Sequence, residues 1–154
     1  MRNFNETDKA KKSERIRLNE NPAVLSDKKI AELETAVRAS LKDGYLSCPV
    51  AWSIAKKAGV PRIAVGAVTD KLGFRITDCQ LGCFKVDKTP YDGSVAKEVE
   101  VKLSDRLADS AEGNKITCAA AHELARELKV VPMAVAEAMN VKGMKIRDCQ
   151  LGCF

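Results

Sequence analysis

The chain repeats itself, and the repeat limits the folds open to it. The segment GFRITDCQLGCF at 73–84 returns as GMKIRDCQLGCF at 143–154. At an offset of 70 residues, Cys48, Cys79 and Cys83 fall on Cys118, Cys149 and Cys153. Ala51, Ala55, Val60, Ala64, Val65 and Ile76 likewise fall on Ala121, Ala125, Val130, Ala134, Val135 and Ile146. Between Cys48 and Phe84, 15 of 37 positions are identical to their counterparts with no gap. Two copies are too few for a solenoid, which needs three or more stacked repeats. The repeat therefore predicts two similar small domains, 26–86 and 94–154. A linker at 87–93 with a Pro-Tyr-Asp-Gly turn joins them. Residues 1–25 are read as a polar N-terminal arm.

Each copy reads as mostly helical. Ser26 can cap a helix that carries Ile30, Leu33, Val37 and Leu41 on one stripe. Asp43-Gly44 stops it, and Tyr45-Leu46 forms a short extended piece. Ser47 is the next cap, for a helix over 48–58 with Val50, Ala51, Ile54, Ala55 and Ala58 inward. Gly59 can take the left-handed turn that ends it, and Pro61 suits the first turn of a helix over 61–72. Gly73 ends that helix, FRITD alternates as a strand, and CQLGCF closes the unit, with Phe84 plugging the core. The second copy predicts helices at 94–111, 118–129 (capped by Thr117) and 132–142, then the strand MKIRD, with Phe154 as the plug.

Ile54, Ala55, Ala58, Gly59, Val60, Val65 and Val68 follow the apolar and glycine pattern of a helix-turn-helix. Leu124, Ala125, Leu128, Val130, Val135 and Ala138 follow it in the second copy, where Lys129 replaces the turn glycine and predicts a differently shaped turn. With a preceding helix and a following β segment, each unit resembles a winged helix. The resemblance implies a mainly α fold with small β wings, an α+β chain of two tandem winged-helix-like domains. It also implies DNA as partner, with the second helix of each pair in the major groove and a role in transcription regulation.

The outward positions of those helices would be Pro61, Arg62, Ile63, Gly66, Ala67 and Asp70, and Val131, Pro132, Met133, Ala136, Glu137 and Asn140. Only Arg62 and Asn140 are suited to reading base edges. Phosphate contacts would come from Arg75, Lys145 and Arg147 on the wings and from Lys11 and Lys12 in the arm. Net charge is +5, and it resides in the first half: 16 Lys/Arg against 10 Asp/Glu up to residue 86, 10 against 11 beyond it. Faces this apolar equally suit packing on a sister domain, a second subunit or another protein, an interaction module that has lost base readout.

The block DCQLGCF is identical in both copies, so it does something that tolerates little change. Three thiols per copy are compatible with a zinc or iron–sulfur site, with redox sensing, or with plain burial. The sites concerned are Cys48, Cys79, Cys83, Cys118, Cys149 and Cys153. The expectation is that the three sulfurs of each copy lie on one side of the unit, with at least two close enough to share a metal or form a disulfide. His122, the one histidine, falls on Trp52 at the offset and is no shared ligand.

No catalytic constellation is visible, and an enzyme is not expected. No apolar run reaches the roughly 20 residues that a membrane span needs. The first residues lack the apolar centre of a secretory signal. The expectation is a cytoplasmic regulator without membrane contact.

Overall fold

The computed structural model describes residues 18–84, 97–110 and 113–154. Lys11 and Lys12 of the arm and the linker at 87–93 lie outside the described residues. The protein is mixed α/β, with six helices and two small sheets among the described residues. No helix of these residues is long and apolar enough to cross a membrane.

The chain forms two compact units. Unit 1 holds the helix α1 (Asp27–Ala39), the strand β1 (Tyr45–Ser47), the helices α2 (Cys48–Ala58) and α3 (Arg62–Lys71), and the strand β2 (Arg75–Thr77). Residues 150–154 also belong to unit 1. Unit 2 holds α4 (Lys97–Ser110), β3 (Lys115–Thr117), α5 (Cys118–Glu127), α6 (Pro132–Val141) and β4 (Lys145–Arg147). Residues 80–83 belong to unit 2. The segment Gln-Leu-Gly-Cys of each copy is thus built into the unit made by the other copy's helices.

The caps are where the side chains put them. The Ser26 hydroxyl accepts a hydrogen bond from the Lys29 amide at 3.3 Å, and the Thr117 hydroxyl accepts one from Ala120 at 3.1 Å. Such bonds satisfy amides that a helix start leaves without a partner. Ser47 sits at the cap of α2 in extended geometry, but its side chain makes no cap bond. The core of unit 1 gathers Leu33, Val37, Leu46, Ala51, Ile54, Val65 and Val68; that of unit 2 gathers Leu103, Leu107, Ile116, Ala121, Leu124, Val135 and Met139. The first six of each set are the same positions 70 residues apart, while Met139 of unit 2 falls on the buried Thr69 of unit 1. Val50 departs from the expected stripe and is 37% exposed.

The strands pair in parallel. Tyr45, Leu46 and Ser47 stand opposite Arg75, Ile76 and Thr77, and Lys115, Ile116 and Thr117 opposite Lys145, Ile146 and Arg147. Parallel neighbours require a crossover between them, and here the two helices supply it. The β ending therefore closes the unit onto its own first strand. Pairing to β1 in this way makes it part of the unit's body, where the sequence suggested a wing.

Lys129 corrects a second expectation. Gly59 ends α2 at φ +66, with its amide donating to the Lys56 carbonyl and the Val60 amide to the Ala55 carbonyl. Lys129 takes φ +55, and the same two bonds run from Lys129 to Arg126 and from Val130 to Ala125. The turn is the same shape without its glycine, because the paired bonds and the burial of the helices hold it. A side chain in this region costs about 1–2 kcal/mol, and glycine returns part of that through the freedom of the unfolded chain. Lys129→Gly is therefore expected to stabilise the protein by roughly 0.5–1 kcal/mol, and Gly59→Ala to destabilise it by about 1 kcal/mol. Urea midpoints measured at constant slope check both.

Candidate functional site

The helix that would read DNA in unit 1 is covered. Six consecutive residues of α3, Ala64 to Thr69, are buried. At 3.6 residues per turn, such a run leaves no open face in the middle of the helix. Gly66 and Ala67, expected to point outward, are among them; Ala67 is 2% exposed. What covers Gly66 is residue 151. A Cβ built on Gly66 would overlap the Leu151 carbonyl oxygen and lie 2.7 Å from its carbonyl carbon and 3.1 Å from its Cα. Main chain thus lies against main chain, an approach open only to glycine. Leu151 itself is 1% exposed. Next to it Gly152, at φ +71, turns against the side chains of Leu18 and Ile63.

Arg62 is engaged as well. It begins α3, its guanidinium lies over the Trp52 ring at 3.4 Å from the centroid, and it donates to the side-chain carbonyl of Gln150. Stacking on an aromatic face and donation in the plane of the guanidinium are compatible, and together they fix the side chain. Trp52 and Arg62 line a groove of about 500 Å³ with Pro49, Ser53, Lys56 and Val60. The sequence did not point to this groove. Its one signal was that Trp52 and Arg62 fall on His122 and Pro132, so the copies differ in chemistry here.

The other expected DNA contacts are dispersed. Arg75 is half-buried on β2, which follows the C-terminal end of α3, whereas Arg62 starts that helix. Asn140, Lys145 and Arg147 belong to unit 2. Asn140 and Lys145 are exposed, and Arg147 pairs with its neighbour Asp148. In α6, Ala136 is 4% exposed, whereas Glu137 faces solvent. Acidic Glu137 on the open side of that helix disfavours phosphate. Charge pairs elsewhere are exposed. Lys29 donates a hydrogen bond to Glu32 and with its charge holds that carboxyl below its ordinary range, while Glu127 accepts from Arg106 and raises its guanidinium.

Two cysteines of each copy share a unit and the third falls in the other. Cys48, Cys79 and Cys153 belong to unit 1; Cys83, Cys118 and Cys149 belong to unit 2. All six stand as thiols. Among the described residues, no three His, Cys, Asp or Glu side chains come together as a metal site. Cys48, Cys79 and Cys118 are each 6% exposed, Cys149 and Cys153 are intermediate, and Cys83 is exposed. Cys48, Cys79 and Cys118 are thus withdrawn from solvent, as unbridged cysteines often are. Phe84 and Phe154 do not plug the cores either. Phe154 is 39% exposed, and the two rings meet edge to face at 6.1 Å, while Leu81 and Leu151 take the buried places.

No protein-family model, curated protein or solved structure matches the chain.

Burial orders the thiols by reactivity, since an alkylating reagent must reach sulfur. Under native conditions Cys83 is expected to be modified first, then Cys149 and Cys153. Cys48, Cys79 and Cys118 should react only on unfolding; mass mapping over time checks the order. Truncating the buried Leu151 to Ala is expected to cost about 2–5 kcal/mol, read from denaturant midpoints.

Proposed function

We propose that the chain is an interaction module derived from paired helix-turn-helix units, whose second helix holds a short polypeptide segment in place of a base edge. The observation that carries this reading is the seating of Leu151 on Gly66: the middle of α3 carries main chain where a DNA-reading helix would need open polar side chains. The order helix, strand, helix, helix, strand supports a winged-helix ancestry for each unit, and the parallel strand pair is a departure from a projecting wing. The identity of DCQLGCF in both copies supports a docking segment as well. Its leucine is the buried anchor in each case, Leu81 at 3% and Leu151 at 1% exposure.

A second reading keeps DNA as the partner in a regulator of transcription. Exposed Lys56 lines the same groove as Arg62, and exposed Lys57 follows it on the last turn of α2, a cationic edge suited to phosphate. Base readout through α3 then requires residues 150–154 to leave the helix.

Two measurements separate these readings. In a low-salt mobility shift, the full chain is expected to give only retardation that unrelated duplexes compete equally and that added salt abolishes. A sequence-selective shift lost in Arg62→Ala would overturn the interaction reading. In fluorescence polarisation, a labelled Asp-Cys-Gln-Leu-Gly-Cys-Phe peptide is expected to bind the Leu151→Asp chain, whose own segment is weakened, more tightly than the wild type. Equal or absent binding to both would refute segment docking.

A further inference from the structure

We infer that the docking segment is exchangeable between chains, so that the partner fitting the α3 surface of unit 1 is residues 150–154 of a second copy. This rests on the segment-docking reading above and goes beyond it by naming the occupant.

Three observations lead there. First, the segment seated on α3 is not the one that follows β2: residues 150–154 belong to unit 1, and residues 80–83 belong to unit 2. The α3 surface of unit 1 therefore accepts a segment that is remote in sequence. Second, the two segments are the same from Asp78 to Phe84 and from Asp148 to Phe154. Side-chain chemistry cannot tell one from the other, and only chain connection assigns a segment to its seat. Third, the seat is a surface strip of the helix and its groove. Gln150 meets Arg62, Leu151 meets Gly66 and Gly152 meets Ile63. A short segment bound by a few local contacts can be replaced by an identical one from another molecule without any new interface chemistry, which is the low-cost route to domain-swapped dimers.

Connection favours the closed single chain. A tethered segment has an effective concentration on the order of mM, so wild-type copies at lower concentration keep their own segments. Removing that advantage exposes the exchange. Gly66→Val closes the seat and leaves the segment intact; Leu151→Asp spoils the segment and leaves the seat intact. Neither full-length chain can satisfy itself, yet the segment of the first fits the seat of the second.

The test mixes the two variants, differently tagged, and follows them by gel filtration with multi-angle light scattering and by pull-down. The expected result is a 1:1 heterodimer in the mixture and monomers of each variant alone. Wild type mixed with either variant at the same concentration should show at least tenfold less heterodimer. Ile63→Glu, on the half-exposed start of α3, replaces Gly66→Val if circular dichroism shows that the valine lowers helix content. No heterodimer from folded variants, with the heptapeptide still binding Leu151→Asp, would overturn the exchange and leave segment docking standing. No heterodimer and no peptide binding would bring down both. Heterodimers that persist when both partners carry Leu151→Asp would also overturn it, because another surface would then be responsible.

Discussion

The approach of one backbone to another at Gly66 is the constraint on which unit 1 depends. A helix surrounded on all sides over six residues needs something apolar or self-satisfied against every face. Residues 150–154 provide that cover with a leucine, a glycine and a main-chain carbonyl. Once the segment is there, Arg62 is drawn between Trp52 and Gln150, and the polar start of α3 becomes part of the same seat. The candidate reading helix is thereby turned into a structural element, and the chemistry left open at its start is that of the neighbouring groove.

Much of this was legible in the residues. The 70-residue offset, the caps at Ser26 and Thr117, the helix over 48–58 and the turn at Gly59 all follow from local rules, and local rules suffice for elements that make their own hydrogen bonds. The small residues Gly66, Ala67 and Ala136 at outward positions argued for packing, and they are buried. The location of the docking segment was not legible. Two identical segments satisfy a pattern equally well in either unit, so no reading of the repeat alone could assign them. The same holds for the cysteines: treating each copy as a closed unit groups Cys83 with Cys48 and Cys79, whereas residues 80–83 fall in the unit that contains Cys118 and Cys149. The phenylalanines suggested a plug because they are large and end each block; the preceding leucines hold that role.

Duplication leaves two frames but not two equal surfaces. The positions that differ between copies include those of the groove, where Trp52, Ser53 and Arg62 face His122, Glu123 and Pro132 in the alignment. The core positions Leu33, Leu46 and Val65 keep apolar partners at Leu103, Ile116 and Val135. The two copies thus share the apolar scaffold, while the groove of unit 1 carries an aromatic ring and an arginine, Trp52 and Arg62, that unit 2 does not match; Lys56 has its cationic counterpart in Arg126.

The parallel strand pairs have a kinetic meaning. Tyr45 pairs with Arg75 and Lys115 with Lys145, residues far apart in the chain with two helices between them. The loop entropy of that closure must be met before three strand residues gain their hydrogen bonds. Docking of the intervening helices shortens that loop, and contacts of long sequence separation slow folding. The same geometry ties the two ends of each unit together: the strand pair holds only while the helix pair between its strands keeps those ends side by side.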